Sequence, residues 1–574
     1  REIGQMCRDL GLSICAYQPF RDFEGMPEPQ RARTFVRAER KFDLMQELGT
    51  DLLLICSSVS PASLGGIDRA AADFHELGER AAKRGLRVGY EALAWGRHVH
   101  DYRDAWEIVR RADHKAIGVI LDSFHALAPA LPTNAIRAIP ADKIFLVQLA
   151  DAPKLELDVL SWSRHFRSFP GQGDLPVGEF MEAVAATGYA GPLSLEIFND
   201  QFRAGSAPRT ALDGMRSLLL LQDDLAGKMP AASEPRFEPR VRSHGIGFVE
   251  FAVSEDKAEP LARLFGQLGF RKSGRHRSKA VQRWSQGAIE LVINCEPASF
   301  AHSHYVTHGP GVCALALDVD SADRAMARAQ ALKTRTFTQP VGPGELEIPA
   351  IHGVGGSLLY FLDAKGKNWD VDFEAVASDE GNDRLVAVDH IVQSMPHEEM
   401  LSWLLFYAGL IDFSRLPQME IADPRGLVQS QAIVNGDRSL RFILNGSSAT
   451  RTMSSRFISE FFGSGVQHIA FSCDDIFAAV AEMRARGAGF LDIPDLEAKY
   501  DLAPETIAAL RANEILYDRD GDAEFFQVYT HIVEERFFFE IVQRRNYQGF
   551  GAANAAIRLA AQAREVRPDT MPRL

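Results

Sequence analysis

IGVILDSF, at residues 117–124, is an apolar run that ends in polar residues, and runs of this kind decide how the first part of the chain folds. Stretches in which apolar residues recur at helical spacing, such as residues 29–50, separate these runs. Continuous apolar strands that alternate with helices predict a parallel sheet that is buried on both faces. The other runs are LSICAYQPF (12–20), DLLLICSS (51–58), LRVGYEAL (86–93), IFLVQLAD (144–151) and LSLEIF (193–198).

The six runs favour an α/β TIM barrel over residues 1–228, with an open flavodoxin-like sheet as the alternative. A complete barrel has eight strands, so two more are needed. We expect one strand to be too short to read and the first βα unit to precede Arg1. An open barrel edge would be poorly stable, which is the reason for expecting that unit in the native protein.

Polar residues stand at the ends of four of the predicted strands: Glu91, Asp122, Gln148 and Glu196. The carboxyl ends of the strands of a parallel barrel meet on one face, where active sites form. Three carboxylates and one amide suit Mg²⁺, Mn²⁺ or Co²⁺ better than a thiolate-rich zinc site does. The alternative is that each residue only caps the following helix or faces water.

The overall composition is that of a metabolic protein with more than one domain. The chain has 574 residues, of which 46% are hydrophobic and 24% charged. A formal net charge of −14 argues against general binding to nucleic acid or to anionic membranes. No run approaches the roughly 20 apolar residues of a membrane span. The six cysteines form no CxxC pair, and we expect free thiols in a reducing cytoplasm.

The rest of the chain contains an internal repeat. Residues 229–241, rich in Pro, Ala and charge, predict a linker. A strand followed by an amphipathic helix begins at Gly311 and is echoed from Gly465, 154 residues later. SHGIGFVEFAV, with His244, echoes VDHIVQSM, with His390. We predict two related α+β halves, at 242–376 and 385–553, and a tail at 554–574 that begins helical.

The second half carries a set of metal-ligand residues on three strand-like runs. They are His390 in VAVDHIVQSM, His468 in GVQHIAFSC and Glu540 in RFFFEIVQR. Two imidazoles and one carboxylate form the facial triad that suits Fe(II) and leaves coordination positions open. A single histidine in a strand is more often structural. Ala314 stands where the first half would need the equivalent of His468, so we expect no complete metal site there, and His244 should be structural.

The motifs QPFRDFEG, YEALAWGRHV, LDSFH, VQLAD, FPGQGDLP and LSLEIFND resemble those of xylose-isomerase-like TIM barrels. They are more closely similar to the bacterial 3-dehydroshikimate dehydratases that feed protocatechuate catabolism, over most of residues 1–228. The resemblance implies that Glu91, Asp122, Gln148 and Glu196 hold a divalent metal. Gln148 departs from the wider superfamily, which commonly has His there, and matches the fused dehydratases. The implied reaction converts 3-dehydroshikimate into 3,4-dihydroxybenzoate with loss of water.

Further residues at the predicted barrel mouth are candidates for catalysis and substrate binding. His125 is the candidate for proton transfer, and its alternative role is to donate a hydrogen bond to a ligand carboxylate. Arg21 is the candidate for bidentate binding of the substrate carboxylate. Ser163 and Arg203 are candidate contacts of substrate hydroxyls or carboxylate. Trp95 and His98 are candidate pocket walls.

The C-terminal phrases GVQHIAF, EFFQVYT, LRFILNGS and FFFEIVQRRNYQGFGAAN resemble 4-hydroxyphenylpyruvate dioxygenase, a protein of the vicinal oxygen chelate fold with βαβββ repeats. The resemblance is strong over 385–553 and faint over 242–376. It implies that His390, His468 and Glu540 hold a second divalent metal, Fe(II), Mg²⁺ or Co²⁺. The polar positions of the family's substrate pocket and the aromatic beside its C-terminal helix correspond to Ser430, Asn445, Gln467, Gln527 and Phe550.

Dehydration by the barrel is the leading hypothesis, with the C-terminal half as a metal-binding domain of altered or unknown substrate. The alternatives are a sugar or hydroxypyruvate isomerase on the same barrel, a working dioxygenase beside an inert barrel, and a non-enzymatic metal-binding assembly or sensor protein. The expected partner is the small-molecule substrate 3-dehydroshikimate. We also expect a homo-oligomer that binds neither nucleic acid nor membrane.

Overall fold

The computed structural model describes residues 2–228, 237–363, 369–377, 381–493 and 501–565. The chain divides into two compact units, Arg1–Arg236 and Phe237–Leu574. The division falls inside the predicted linker, of which residues 229–236 lie outside the described residues. Within the described residues, no helix combines the length and the apolar composition that crossing a membrane requires.

The first unit contains one parallel sheet whose strands follow one another in chain order. A flavodoxin-like sheet changes direction in its strand order, so the uninterrupted order favours the barrel. Each strand lies within one of the six apolar runs, which confirms that prediction. The strands are β1 (Tyr17–Phe20), β2 (Leu52–Cys56), β3 (Arg87–Glu91), β4 (Ile117–Asp122), β5 (Ile144–Leu149) and β6 (Leu193–Leu195).

Helices connect these strands and cover the outer face of the sheet. Every residue of β2, β4 and β5 is buried, as expected for strands covered on both faces. The helices are α1 (Glu2–Asp9), α2 (Gln30–Leu48), α3 (Ile67–Ala82), α4 (Tyr102–Ala112), α5 (Ser123–Leu127), α6 (Val159–His165), α7 (Val177–Ala185), α8 (Asp200–Ala204) and α9 (Ala207–Lys228).

The first half of the second unit forms one sheet of nine strands. Its helices are α10 (Glu255–Gln267), α11 (Phe300–His308) and α12 (Ala322–Ala331). Its strands are β7 (Ser243–Ala252), β8 (Arg271–His276), β9 (Val281–Gln286), β10 (Ile289–Asn294), β11 (Gly311–Val319), β12 (Thr336–Phe337), β13 (Ala350–His352), β14 (Leu358–Asp363) and β15 (Phe373–Ala375).

The second half forms another sheet of nine strands and confirms the predicted duplication, because β16 and β21 pair in the same antiparallel way as β7 and β11. Its helices are α13 (Met400–Leu410), α14 (Met453–Phe461), α15 (Ile476–Ala485), α16 (Pro504–Ala512) and α17 (Ala552–Glu565). Its strands are β16 (Leu385–Pro396), β17 (Phe413–Arg415), β18 (Met419–Asp423), β19 (Gly426–Asn435), β20 (Arg441–Ser447), β21 (Gly465–Cys473), β22 (Leu516–Asp520), β23 (Ala523–Tyr529) and β24 (Phe538–Arg545).

The two halves share one hydrophobic core. Phe539 of β24 packs against Phe251 of β7, with ring centroids 6.1 Å apart, and against Phe471 of β21, at 5.4 Å. Phe270 of the first half packs against Phe471 of the second at 5.5 Å. The start of the predicted C-terminal tail is helical, as α17, and residues 566–574 lie outside the described residues.

Candidate metal centres

Four oxygen-bearing side chains meet at the carboxyl ends of β3 to β6. Glu91 is the last residue of β3 and Asp122 is the last residue of β4. Gln148 of β5 pairs in register with Asp122, and Glu196 directly follows β6. Glu91, Asp122 and Gln148 are buried, whereas the Glu196 side chain is 20% exposed. The structure therefore brings together the four residues that the sequence predicts as metal ligands.

His125 joins this cluster from α5. Its backbone N–H donates to Asp122 Oδ1 (3.1 Å), so Asp122 both ends β4 and caps α5. The candidate ligand atoms of Glu91, Asp122 and His125 all lie within 4.8 Å of one another. The Ala94 N–H donates to His125 Nδ1 (3.1 Å), and His125 Nε2 lies 4.0 Å from Glu91 Oε1. Burial lowers the pKa of His125 to about 4, so the ring is neutral at neutral pH.

Arg167 supplies a positive charge to the cluster and was not identified from the sequence. Its Nη1 donates to Asp122 Oδ2 (2.9 Å) and to Glu196 Oε2 (3.2 Å). Its Nε and Nη2 donate to Ser163 Oγ at 3.1 and 2.9 Å, and its guanidinium lies 4.6 Å from the centre of the Phe124 ring. The side chain is 1% exposed. Ser163, predicted to touch substrate, therefore holds this buried arginine in place.

The cluster carries more negative than positive charge in a buried setting. Burial, Asp122 and Glu196 raise the pKa of Glu91 well above its usual range. Burial and Asp122 raise the pKa of Glu196 to about 7. Burial also opposes ionisation of Asp122, but Arg167 outweighs it and lowers the pKa of Asp122. A divalent cation would relieve the repulsion between these carboxylates.

Two buried oxygens of the cluster fit a metal ion as their partner. Glu91 Oε1 and Gln148 Oε1 are buried and accept no hydrogen bond from the described residues. The orientation of the Gln148 amide is set by Gln18, because Gln148 Nε2 donates to Gln18 Oε1 (3.1 Å) while Gln18 Nε2 donates to Glu196 Oε1 (3.1 Å). A buried polar atom without a partner costs roughly 1–3 kcal/mol. Carboxylate and amide oxygens suit hard divalent cations, so the donor set fits the predicted metal.

The two arginines predicted to bind substrate lie outside the buried cluster. Arg21 is exposed in the loop after β1, and its backbone carbonyl accepts a hydrogen bond from Arg37 (3.2 Å). Its charge nevertheless acts on the thiol of Cys56 at the end of β2. Arg203 is exposed on α8 and lies 3.5 Å from Asp200. Within the described residues, neither guanidinium contacts the four predicted ligands.

The two predicted wall residues differ in their distance from the cluster. The Trp95 ring packs edge-on against His125, with centroids 4.9 Å apart. His98 instead faces the β2–α3 loop, where its Nε2 lies 2.9 Å from the carbonyl oxygen of Ser63. Trp95 therefore forms part of the site, whereas His98 fixes a neighbouring loop.

The second unit brings His390, His468 and Glu540 together as a facial triad. They lie on β16, β21 and β24, and all three are buried. Glu540 Oε2 lies 3.3 Å from His390 Nε2 and 3.4 Å from His468 Nε2. Burial lowers the pKa of His468 to about 4, whereas Glu540 and Asp389 outweigh burial and raise the pKa of His390. Two imidazoles and a carboxylate at these distances fit one divalent cation.

Asp389 orients the first of these histidines. Its Oδ1 lies 2.7 Å from His390 Nδ1, and Arg544 donates to both of its oxygens at 2.7 and 2.8 Å. Despite burial, His390 and Arg544 hold the pKa of Asp389 far below its usual range. A carboxylate on the far nitrogen of a metal-binding histidine fixes the tautomer and orientation of the ring. Asp389 directly precedes His390 in the chain, so the sequence VDHIV already shows the two partners side by side.

A hydrogen-bonded chain from α17 reaches the third member of the triad. Asn554 Nδ2 donates to Gln527 Oε1 (2.9 Å), and Gln527 Nε2 donates to Glu540 Oε1 (2.8 Å). The Phe550 ring lies edge-on to His390, with centroids 5.9 Å apart. Gln527 and Phe550, predicted as pocket residues, thus contact the triad itself.

The other predicted pocket residues lie on the same sheet. Ser430 and Asn445 pair across β19 and β20, and both are buried. Gln467 accepts a hydrogen bond from Ser394 Oγ (2.9 Å). Asn445 Oδ1 is buried without a partner among the described residues.

Strand registers identify the position in the first half that corresponds to the triad. In the second half, Ala470 pairs with both His390 and Glu540. In the first half, Ala316 pairs with both Phe248 and Tyr360. Since Ala316 and Ala470 are separated by the repeat spacing, Phe248 and Tyr360 replace two of the three ligands.

The remaining position of the triad confirms one prediction and corrects another. Ala314 takes the place of His468, which agrees with the expectation of an incomplete site. The equivalence of His244 with His390 is wrong, because the register gives that place to Phe248, four residues later. A shared histidine does not fix register, whereas pairing with the neighbouring strand does. His244 is exposed near the start of β7.

Family models match three successive parts of the chain. Residues 1–220 match the xylose isomerase-like TIM barrel. Residues 237–374 match the N-terminal part of hydroxyphenylpyruvate dioxygenase, and residues 387–503 match the glyoxalase, bleomycin resistance protein and dioxygenase superfamily.

Relatives extend these matches to nearly the whole chain. A 3-dehydroshikimate dehydratase of Pseudomonas putida is 48% identical over 98% of this chain and 92% of its own length. A 4-hydroxyphenylpyruvate dioxygenase of Pseudomonas aeruginosa is 33% identical over 55% of this chain and 92% of its own length. A solved fusion of a xylose isomerase-like TIM barrel with 4-hydroxyphenylpyruvate dioxygenase is 47% identical, covers 98% of this chain and 92% of its own, and superimposes with a TM-score of 0.90.

Proposed function

The chain belongs to the family of 3-dehydroshikimate dehydratases, and we propose that its barrel converts 3-dehydroshikimate into 3,4-dihydroxybenzoate with loss of water. We assign the reaction to the barrel because of one observation, the buried cluster of Glu91, Asp122 and Gln148 with His125 beside it. An isomerase on the same barrel would use a similar cluster. The near full-length similarity to a dehydratase favours dehydration over isomerisation.

Glu91, Asp122, Gln148 and Glu196 would hold a divalent cation, for which Mg²⁺, Mn²⁺ and Co²⁺ suit the oxygen donors. When bound, such an ion supplies Lewis-acid polarisation of a carbonyl oxygen. The support for this ligand set is the pair of buried oxygens, Glu91 Oε1 and Gln148 Oε1, that have no partner among the described residues.

We assign proton transfer to His125. The reaction breaks two C–H bonds and one C–O bond: one proton and the hydroxide leave together as water, and the second proton moves to the ketone oxygen, which becomes a phenol hydroxyl as the ring turns aromatic. A neutral imidazole can accept the proton from carbon and return it to the departing hydroxide. The neutral ring, its contact with Trp95 and its place beside Glu91 support this role.

Arginine and serine side chains bind and position the substrate in this proposal. Arg21 binds the carboxylate of the substrate in bidentate fashion, because a guanidinium matches the geometry of a carboxylate. Arg203 contacts substrate hydroxyls or carboxylate. Ser163 does so through its hydroxyl hydrogen, because its oxygen already accepts two hydrogen bonds from Arg167. Arg167 has a positioning role, since it already binds Asp122 and Glu196 and is itself bound by Ser163.

We propose that the triad in the second unit holds a second divalent cation, Fe(II), Mg²⁺ or Co²⁺, in a domain whose substrate differs from that of the dioxygenase relatives. Dioxygenation of 4-hydroxyphenylpyruvate is the second candidate function, and the complete triad is the observation that favours it. Incubation of the protein with Fe(II), oxygen and 4-hydroxyphenylpyruvate distinguishes an altered substrate from dioxygenation of 4-hydroxyphenylpyruvate. Formation of homogentisate would establish dioxygenation and contradict the altered substrate.

The dehydratase assignment is tested by following the ultraviolet absorbance of the aromatic product from 3-dehydroshikimate in metal-loaded protein. Glu91→Gln should slow product formation at least about 100-fold, because it removes one charge from the metal site. Glu179→Gln, an exposed glutamate on α7, is the matched control and should keep the native rate. His468→Ala should also keep it, if catalysis resides in the barrel. Absence of product from folded native protein would reject the assignment.

We further propose a cytoplasmic location, which is supported by six cysteines that are all free thiols. The homo-oligomeric state stays a prediction, and light scattering coupled to size-exclusion chromatography tests it.

A further inference from the structure

A cavity of about 400 Å³ opens into the sheet of the first half of the second unit. It is lined by residues of β7, β8, β10 and β14 and by none of the residues of the two metal centres. Pockets for small molecules have volumes of roughly 300–1,000 Å³. The cavity is therefore large enough for a ligand of its own.

The cavity lies where a metal site of this fold would be, but the residues have changed. Phe248 and Tyr360, which replace two triad ligands, both line it. Glu250, two residues after Phe248 on β7, also lines it, because alternate residues of a strand face the same side. The half without the triad thus presents a carboxylate and aromatic rings to the cavity.

The Glu250 carboxyl forms no ion pair with any described residue, although the charge of Lys279 acts on it from a distance and works to lower its pKa. Its Oε1 accepts a hydrogen bond from Asn294 Nδ2 (2.6 Å), and burial raises its pKa. Lys279 also lines the cavity, but its ammonium group is paired with Glu345 at 2.6 Å. A half-buried carboxylate without an ion-pair partner is stabilised by a cation that reaches it.

Aromatic rings surround the same space. The Phe248 ring lies 5.7 Å from the Tyr360 ring and 5.2 Å from the Trp369 ring. The Arg283 guanidinium already lies over Trp369, 4.2 Å from its centre. Cations bind favourably to the faces of such rings. Phe248 and Tyr360, which no cation of the described residues covers, are therefore rings that a cationic ligand can use.

We propose that this cavity binds an organic cation, namely a small amine whose ammonium group pairs with Glu250 and whose apolar body packs against Phe248 and Tyr360. The rim favours the same sign of charge, since Glu345, Glu347 and Asp372 line the cavity beside the single lysine. The site requires no metal and is independent of the dehydratase reaction.

The first test uses three molecules of nearly equal size but different charge, titrated into the full-length native protein and followed by saturation-transfer NMR. Phenethylamine should bind. Phenethyl alcohol should bind at least about tenfold more weakly, because it lacks the charge that pairs with Glu250, and phenylacetate should be the weakest. Equal binding of the alcohol or the anion would overturn the proposal, and so would the failure of phenethylamine to bind.

The second test locates the binding. Glu250→Gln keeps the shape of the side chain, removes its charge and should weaken phenethylamine binding at least about tenfold. Glu347→Gln, an exposed carboxylate at the rim, is the matched control and should change it less than about twofold. Both variants should keep the native rate of product formation from 3-dehydroshikimate. Unchanged binding by folded Glu250→Gln would overturn the proposal; if that variant does not fold, the three-ligand series on native protein decides.

Discussion

Gln18 accepts a hydrogen bond from Gln148 and donates one to Glu196, so it determines which atom of the Gln148 amide is left for a metal. An amide can present either oxygen or nitrogen, and only the oxygen can bind a cation. We therefore expect this glutamine, at the edge of the site, to influence metal binding through Gln148.

Gln18→Leu should weaken Mn²⁺ binding to the barrel about 10- to 100-fold, which is typical for loss of a residue that orients a metal ligand. Isothermal titration calorimetry measures the affinity, with His468→Ala as the background in which the second centre is incomplete. Gln5→Leu, an exposed glutamine on α1, is the control. Native affinity in Gln18→Leu would show that the Gln148 amide needs no such support.

Arg167 neutralises carboxylates that would otherwise be buried together. Arg167→Met should lower the free energy of unfolding of the metal-free protein by about 3–5 kcal/mol, because Asp122 and Glu196 lose their cation. Added Mn²⁺ should stabilise this variant more than it stabilises the native protein, since the ion then supplies the missing charge. Urea unfolding with and without Mn²⁺ measures both effects. Arg110→Met, an exposed arginine on α4, is the control, and equal stabilisation of both proteins would contradict the explanation.

Glu24 gives the barrel a dependence on pH that is separate from the metal ligands. Burial raises the pKa of Glu24 to about 7 from a usual value of 4.5, so the folded state holds its proton more tightly than the unfolded state does. The contribution of protonated Glu24 to the free energy of unfolding is complete below its pKa in the unfolded state. It is lost as the pH rises through its pKa in the folded state, about 7. Glu24→Gln should therefore be more stable than the native protein at about pH 8, by on the order of 2–3 kcal/mol, and should lose this advantage near pH 5.

Urea unfolding at the two pH values tests this prediction. Glu28→Gln, an exposed glutamate before α2, should show the same pH dependence as the native protein. A Glu24→Gln variant that loses stability at high pH as much as the native protein would show that another group is responsible.

At the scale of elements, helix α6 matters to the barrel because it carries Ser163, which binds Arg167. Asp158 caps this helix by accepting hydrogen bonds from the N–H groups of Leu160 (3.1 Å) and Ser161 (3.0 Å). Asp158→Ala should lower the free energy of unfolding by about 0.5–2 kcal/mol. Asp158→Ser retains a cap and should recover most of the loss. Thermal unfolding of the three proteins checks this, and equal destabilisation by Ser and Ala would exclude capping as the cause.

Most strands were predictable, but their ends were not. The apolar run at 12–20 gives a strand only over Tyr17–Phe20, since only these residues pair with β2. In the run at 193–198 the last residue that pairs with β5 is Leu195. The backbone N–H of Glu196 still donates to the Leu149 carbonyl (3.1 Å), and its side chain enters the cluster. A run of apolar residues indicates which part of the chain is buried. The residue at which a strand ends is decided by where its hydrogen bonds to the neighbouring strand stop.

The residues that support the sites were harder to predict than the candidate ligands. Glu91, Asp122 and Gln148 could be selected because each is a polar residue at or next to the carboxyl end of an apolar strand. Arg167 could not, because it lies 45 residues from Asp122 and 29 from Glu196, in a stretch without strand or helix periodicity. Contacts between segments so far apart leave no pattern in a single sequence.

At the scale of the whole molecule, the two halves of the second unit depend on one core. Phe539→Ala should lower the free energy of unfolding of this unit by about 3–5 kcal/mol, because the ring packs against both halves. Phe539→Leu, which keeps most of the apolar volume, should cost less. Urea unfolding measures the free energy of unfolding, and hydrogen exchange measures the protection of backbone amides in each half. Loss of protection in one half alone would contradict a shared core.

Arg167 has a further consequence for how the cell can use the barrel. Because Arg167 already balances part of the carboxylate charge, we expect the barrel to fold without the ion. If the barrel binds a divalent cation as proposed, we expect the folded polypeptide to accumulate during metal starvation as a reserve without activity. When the ion becomes available again, activity should return by mass action on protein that already exists, without the delay of new translation.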